Sequence, residues 1–455
     1  MSTVDLEEMT FPETDSGNAE RLAAMFGSDF RWVRDEQRFY KWNGTLWISD
    51  RTGDTLLPFT KAVARAIPDE KFAKSSESAN RRSSMIRLIK GEPSVQADRE
   101  LFDARPWLLN VQNGTLDLEA GMLREFDRED YLTKQASVVW DPRAKAPKFD
   151  ALLDFVFCGD KDLIHFAVKA LGLTLTGITS EQCFFLCHGL GSNGKTTFLE
   201  VAGGILGQDY ATMANGGTLL ESKFSSSDSG YDIATYAGKR MVTAAEPKKS
   251  GHLDEELLKR LTGGERVKAR QIFGEPFEFR PECKLWLAMN KKPRIIGTDD
   301  GIWRRVLLVP FLAHMAKDDP RRVPDLHKVL LAEEGPGILT RMVEGLGAWQ
   351  QEGLNPPAAV RNATAEYRSS QDATGDFFTA KCITGSKYKV AAGELYEAYV
   401  KWADAANVFV LRANEFGEEC DRRGFVSKRG DTGFVRRGLS LKEDPQMLAV
   451  FEEGP

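Results

Sequence analysis

The chain has little that would mark a metal centre, a disulfide framework or a membrane. Its six cysteines (Cys158, Cys183, Cys187, Cys283, Cys382 and Cys420) include no Cys-x-x-Cys, and several lie within apolar runs. Buried thiols in a reducing compartment are therefore expected. The five histidines are scattered, with no His-x₃₋₅-His spacing and no cysteine pair beside them, which argues against zinc. No apolar run approaches the length that spans a bilayer. The first residues carry Asp5, Glu7 and Glu8 and lack the apolar stretch of a secretion signal. The expectation is a soluble cytoplasmic protein without a membrane partner. There is no global positive field either. A net charge of −6 excludes a histone-like or tail-driven nucleic-acid binder but leaves a local basic site open. What remains is ordinary globular composition, 42% hydrophobic and 28% charged over 455 residues. That length suits about two to four domains.

Against this background one stretch stands out, Phe184-Phe185-Leu186-Cys187-His188 followed by Gly189-Leu190-Gly191-Ser192-Asn193-Gly194-Lys195-Thr196-Thr197. It reads as an apolar strand, a glycine-rich loop and the start of a helix through Phe198 to Leu206. Gly189, Gly194, Lys195 and Thr196 fit the pattern G-x-x-x-x-G-K-[ST]. Glycines let such a loop wrap with its N–H groups pointing at phosphate oxygens, and the helix start adds its positive end. Residues 189 to 197 are thus candidates for nucleotide binding. Lys195 would reach the β- and γ-phosphates, and the Thr196 hydroxyl would hold Mg²⁺.

In chain order, Phe39 to Trp47 and Leu108 to Leu118 each alternate around an Asn-Gly, the pattern of a β-hairpin. Residues 59 to 103 between them carry helical spacing. Trp32, Trp42 and Trp47 suit core and hairpin packing better than base stacking. Residues 141 to 147 read as a linker or turn, and Phe149 to Leu175 as a helical pair. From Gln182 onward strands alternate with helices, which implies a parallel sheet. Lys239 to Pro247 reads as a buried strand ending in a carboxylate, Glu246. Leu285 to Met289 lies in another ending at Asn290, and Val306 to Phe311 in a third, preceded by Arg304 and Arg305. Ligands of open parallel sheets sit at the carboxyl ends of the strands, the edge that carries the glycine loop. A helical stretch follows from about residue 325 to 350. Beyond a break at Pro356-Pro357, residues 361 to 376 read as polar linker or helix. The remainder holds an amphipathic helix from Glu394 to Ala405 and a strand–turn–strand from Gly424 to Arg437, an arrangement that suggests a winged helix. Residues 421 to 442 hold Arg422, Arg423, Lys428, Arg429, Arg436, Arg437 and Lys442 against Asp421 and Asp431.

Hydrolysis needs a carboxylate to hold Mg²⁺ through water or to orient the attacking water, and Glu246 ends the right kind of strand. Asn290 is placed to sense the γ-phosphate. Arg304 and Arg305 are candidates for an arginine finger acting on a neighbour's ATP, which would require a ring. Between Glu246 and Asn290, alternation around Phe273-Gly274-Glu275-Pro276 reads as an inserted hairpin. There Lys268 and Arg270 would grip a phosphate backbone and Phe273 would stack on bases. The basic C-terminal hairpin, with Lys428, Arg429, Arg436 and Arg437, is a second candidate DNA contact.

The order Gly189–Thr196, Arg240–Glu246, Lys259–Arg270, Lys284–Pro293 and Trp303–Phe311 resembles the superfamily 3 helicases. The likeness is to the phage and plasmid primase–helicase branch related to the poxvirus primase–helicase, and it extends over most of residues 30 to 440. The resemblance implies an α/β fold with an AAA+ P-loop parallel-sheet core (179–350). Ahead of it would lie an N-terminal α+β region (1–100) and a hairpin plus helical collar (101–178). A linker (351–374) and a winged-helix-like domain (375–455) would follow. It implies an ATP- and Mg²⁺-dependent ring, usually a hexamer, moving 3′→5′ on single-stranded and forked DNA in the cytoplasm, that of a bacterial host if the chain is encoded by a phage or plasmid. Asn290 would be the sensor, Arg305 the finger, and the Lys268–Arg270 hairpin the lining of the channel. The chain departs from the pattern in two places. Ala245 precedes Glu246 where many relatives have a second acid, and the Ile272-Phe273-Gly274 tip lacks their lysine. No primase domain is recognised ahead of the core, so a separate primase or initiator is the expected partner. A rival function is an origin-binding or assembly protein switched by ATP without processive unwinding.

Overall fold

The computed structural model describes residues 11–220, 232–246, 251–271, 274–296, 300–316, 318–406, 410–430 and 433–442. The chain divides into two compact units, Met1–Pro293 with Asp299–Ala363, and Arg294–Thr298 with Thr364–Pro455.

The first unit opens with α1 (Asp15–Phe26), capped by Thr14, whose side chain accepts from Gly17 N. Strands β1 (Phe30–Val33), β2 (Arg38–Trp42) and β3 (Trp47–Asp50) follow, then α2 (Leu57–Arg65), α3 (Glu70–Ser76), α4 (Ala79–Leu88) and β4 (Gln96–Ala97). The sheet order is β3-β2-β1-β4. Asp69 and Ser78 cap α3 and α4 through the N–H groups of Phe72 and Arg81, the usual repair for unpaired donors at a helix start. Trp42 pairs with Trp47 across the first Asn-Gly hairpin. Its turn takes four residues, because Asn43 Oδ1 accepts from Thr45 N, Thr45 Oγ1 and Leu46 N. Trp32 and Trp47 are buried, which settles them as packing residues.

Strands β5 (Leu108–Val111), β6 (Gly114–Asp117) and β7 (Met122–Arg124) form the second meander. The helical pair is α5 (Pro147–Val156) and α6 (Lys161–Thr174). β8 (Phe184–His188) then leads into α7 (Lys195–Tyr210) and β9 (Ala211–Ala214). β10 (Met241–Ala245), α8 (Glu255–Gly263), a two-stranded ribbon of β11 (Val267–Arg270) and β12 (Pro276–Phe279), β13 (Lys284–Met289), α9 (Asp300–Trp303), β14 (Val306–Pro310) and α10 (Leu326–Glu352) complete the unit.

Five strands, in the order β14-β8-β13-β10-β9, make an all-parallel sheet. Their near-continuous apolar runs suit strands covered on both faces. One core joins this sheet to α5, α6, α7 and α10 and to Leu109, Val111, Leu116 and Leu118 of the meander. α6 and α10 cross at glycines. A β-carbon on Gly172 would fall 2.2 Å from Leu346 N, and one on Gly345 2.2 Å from Val168 O, so only glycine permits this approach. Two buried cations pin the amino ends of neighbouring strands. Arg240, just before β10, donates to Leu175 O and Leu108 O, and Lys284 of β13 donates to Thr176 O, Ile178 O and Glu282 O.

The stretch 351–374 is helical over much of its length. α11 (Ala358–Ser370) carries the unit boundary, and Leu354 and Val360 lie in the main core of the first unit. The second unit contains α12 (Ala373–Lys381), β15 (Cys382–Ala391), α13 (Ala392–Ala405), α14 (Ala413–Arg422), β16 (Ser427–Gly430) and β17 (Gly433–Leu441). Its sheet runs β15-β17-β16, with Phe377, Val390, Leu395, Tyr399, Phe416 and Leu439 in a separate core. Among the described residues no helix is long and apolar enough to cross a membrane.

Candidate functional site

The carboxyl edge of the parallel sheet gathers the residues that the sequence singled out. β8 ends at His188, and the chain turns through Gly189 and the exposed Leu190 before α7 begins. Gly194 holds the helix start with φ +81, and no side chain caps α7. Its first N–H groups are therefore left for an outside acceptor. A β-carbon on Gly194 would meet Val156 Cγ1 at 2.5 Å, and one on Gly189 would meet Phe311 O at 2.2 Å. The loop is laced to the segment after β14. Phe311 N donates to His188 O, Met315 N donates to Ser192 O, and Asn193 Nδ2 donates to Phe311 O.

Lys195 sits inside this cradle, 5% exposed. Its Nζ donates to Gly189 O (2.6 Å), Asn193 Oδ1 (3.0 Å) and Asn290 Oδ1 (3.1 Å). Burial lowers its pKa, opposed by Cys187 and Glu246. Asn290 follows β13 and Glu246 follows β10, on adjacent strands. The Glu246 carboxylate accepts from Asn290 N (3.2 Å) and Lys291 N (3.1 Å). The structure thus brings Lys195, Asn290 and Glu246 into one hydrogen-bonded chain. Thr196 is exposed at the mouth of a groove of about 670 Å³ between α7 and the ends of β9 and β10, and Thr197 is half-buried. Gly191 and Ser192 have positive φ, which bends the loop around its opening.

The sequence reading missed His188. Half-buried at the end of β8, it is pushed to lower pKa by burial and then by Lys292 and Lys195. A histidine closing an apolar strand gives no sign that lysines at the start of α7 and beyond the end of β13 will lie near enough to act on it. Asn193 was read only as part of the candidate nucleotide-binding loop, and its amide also joins the loop, Lys195 and Phe311.

Two arginine assignments need correction. Arg305 is buried and donates to Gly301 O (2.6 Å) and Gln182 Oε1 (3.4 Å), so its guanidinium is turned into its own unit and unsuited to reach a neighbour. Arg304, next to it, is exposed. Arg436 is likewise buried on the inner face of its sheet, donating to Asp421, Phe425 O and Gly417 O. It cannot offer its charge to DNA. Lys428, Arg429 and Arg437 are exposed. In the β11–β12 ribbon, Lys268 and Arg270 share the exposed face opposite buried Val267 and Ala269. Lys268 lies 3.8 Å from Glu278, and Arg270 Nε donates to Gly274 O. Phe273 lies outside the described residues. All six cysteines are free thiols, and only Cys158 is exposed.

These features define an α/β protein with an all-parallel five-stranded sheet and a glycine loop, a lysine, an amide and a carboxylate converging at one edge. The family described as "D5 N terminal like" matches residues 19–158, and a "Family of unknown function (DUF5906)" matches residues 187–305. The chain is homologous to proteins of large DNA viruses named as helicases and primases. It is 28% identical to "Putative helicase L207/L206" of Acanthamoeba polyphaga mimivirus over 66% of this chain and 33% of that protein. It is 25% identical to "Putative helicase 022R" of Frog virus 3 over 54% of this chain and 27% of that protein. To "Putative primase C962R" of African swine fever virus (strain Badajoz 1971 Vero-adapted) it is 23% identical over 71% of this chain and 36% of that protein. The chain therefore spans roughly a third of the length of these relatives. Among solved structures, the apo NrS-1 C-terminal region (305-718) has a similar fold, with a TM-score of 0.55 at 10% identity over 92% of this chain and 98% of that one.

Proposed function

We propose that this chain is the nucleotide-hydrolysing motor of a replicative DNA helicase of the AAA+ superfamily 3 type, serving a phage, plasmid or related element. The observation that carries the reading is the hydrogen-bonded chain from Lys195 through Asn290 to Glu246 at the glycine loop. The uncapped start of α7 and the crowded glycines suit a phosphate, and Lys195 adds the charge to hold it. Among the described residues no group of three or more His, Cys, Asp or Glu is placed to hold a metal. Mg²⁺ would then be held by Thr196, by Glu246 through water, and by the phosphates themselves, as is usual for this ion. When bound, it neutralises charge on the transferring phosphoryl group. Lys195 binds the β- and γ-oxygens, Asn290 fixes the end of the triphosphate, and Glu246 accepts a proton from the attacking water.

Exposed Arg304 takes the part of the finger acting on a neighbouring subunit, which calls for a ring, and a hexamer is the proposed form. The Lys268–Arg270 face would follow the backbone of single-stranded DNA, with movement 3′→5′. The C-terminal unit, read as winged-helix-like, would contact DNA or a partner such as a separate primase or initiator.

The test is ATP turnover with and without single-stranded DNA, in wild type, Lys195→Ala, Lys268→Ala and Arg304→Ala. The proposal requires DNA-stimulated turnover that is abolished in Lys195→Ala. It also requires recovery of Arg304→Ala on mixing with subunits that keep Arg304 but lack Lys195. Nucleotide-dependent assembly with slow turnover indifferent to DNA would instead support the ATP-switched assembly protein.

A further inference from the structure

The second unit contains a charged surface that only strand pairing reveals. Strands β15, β16 and β17 carry Lys387, Lys389, Lys428, Arg429, Arg436 and Arg437 and not one Asp or Glu, in a chain whose net charge is −6. The register sorts these cations by face. Lys389 of β15 lies directly opposite Arg437 of β17, and Lys428 of β16 lies opposite Val435, two residues from Arg437 on the same side. Lys389, Arg437 and Lys428 therefore share one face. All three are exposed, and Lys387 rides the irregularity of β15 beside them. Arg436 points to the opposite, packed face with Val390, where Asp421 answers it.

Like charges placed directly across a strand pair repel, which a sheet does not adopt for its own stability. Elsewhere in the unit arginines are matched, Arg422 and Arg423 by Glu419 and Arg423 also by Asp372. Among the described residues, Lys389, Lys428 and Arg437 have no carboxylate partner. The arrangement fits an anion brought from outside. Across the paired stretch the other side chains of the face, Ala391, Val435 and Val426, carry no aromatic ring, and the ring at its margin, Tyr388, is half-buried beneath the Lys387 ammonium. Phe434, which is exposed, pairs with Arg429 on the other side. Single-strand platforms depend on stacked bases. A flat array of cations without an exposed ring among them addresses phosphates and leaves the bases unread.

We propose that the open face of the β15-β17-β16 sheet, built on Lys389, Arg437 and Lys428 with Lys387 at its margin, binds the backbone of duplex DNA without regard to sequence. This deepens the reading of the C-terminal unit as a DNA contact. Its test needs no nucleotide, so failure of the motor reading would leave it standing.

The experiment is fluorescence anisotropy of the full chain, free of nucleotide, with two fluorescein-labelled blunt duplexes of unrelated sequence across a salt series. Each phosphate that is no longer neutralised should flatten the slope of log K against log salt by about 0.9. The Lys389→Gln/Arg437→Gln double variant should therefore bind both duplexes on the order of tenfold more weakly, with a slope shallower by about 1.8. Lys401→Gln, a single neutralisation on α13 away from this face, should bind as wild type. Lys389→Glu turns the repulsive pair into an attractive one. It should melt at or above the wild-type temperature while binding duplex still less, which separates weakened DNA binding from a damaged fold. Wild-type affinity and slope in the double variant would overturn the proposal. So would weakening confined to one duplex sequence, or poly-glutamate displacing the duplex at equal charge, which would make this an acidic-protein surface.

Discussion

Lys284 offers the sharpest test of how the sheet is anchored. Its ammonium is buried at the amino end of β13 and donates to the carbonyls of Thr176, Ile178 and Glu282. Burial, and then the neighbouring Arg240 guanidinium, push its pKa down from 10.5 to about 7. An unfolded chain keeps that proton until about pH 10.4. Between about pH 7 and pH 10 the unfolded chain thus binds more protons than the folded one, and stability from this site rises with pH. Below about pH 7 both states are protonated and the burial penalty stands in full. A pKa unit corresponds to about 1.4 kcal/mol, and the step from about pH 7 to pH 9 then amounts to about 2 kcal/mol. That is an upper figure, because three carbonyls favour the charged form. Lys284→Met keeps the volume and removes the titration. Urea unfolding followed by tryptophan fluorescence should show the wild type gaining about 2 kcal/mol on the variant between those pH values, at equal m. Glu282, Asp103, Lys134 and Arg240, which surround the site, remain in both proteins, so their own titrations largely cancel. A difference that stays flat, or that shrinks with rising pH, would refute the account of a desolvated ammonium.

Three further outcomes follow from side chains already placed. Arg305→Ala should lower stability by about 2–4 kcal/mol in thermal unfolding, since it strands Gly301 O and Gln182. Arg304→Ala should leave stability within about 0.5 kcal/mol of wild type. Arg436→Gln should cost about 1–3 kcal/mol, chiefly by leaving Phe425 O and Gly417 O unanswered while the exposed Asp421 stays solvated, whereas Arg437→Gln should melt with the wild type. Gly194→Ala must hold φ near +81 and press on Val156, a strain of about 1–3 kcal/mol. On the proposed reading Mg-ATP should raise the melting temperature of the wild type, and Gly194→Ala should abolish that rise.

Much of the sheet could be read in advance because its strands are short apolar runs bounded by charged or glycine-rich residues. The positions of Glu246 and Asn290 followed from the rule that strand ends face one edge. Direction was the part that could not be read. Arg304 and Arg305 are chemically alike, and only the fold, which sets Gly301 O and Gln182 beside Arg305, decides which turns inward. Arg436 and Arg437 differ in the same way, through the alternation of one strand. Lys389 went unnoticed because it precedes the basic hairpin by some forty residues and meets it only through pairing. Arg240 and Lys284 looked like polar flanks of strands, since the carbonyls that they hold belong to distant segments.

The contacts of Asn290 bear on how the proposed site would tell one nucleotide from another. Its side chain holds the lysine and its backbone holds the carboxylate, so the ligand-free site is already neutralised from within. On the proposed reading, nucleotide entry would be an exchange, in which a phosphate would gain Lys195 only as Asn290 and Gly189 released it. A diphosphate that stops short of Asn290 leaves Glu246 tethered. On the same reading, a triphosphate that reached Asn290 would loosen its hold on Glu246, so that hydrolysis would be coupled to the length of the bound phosphate chain.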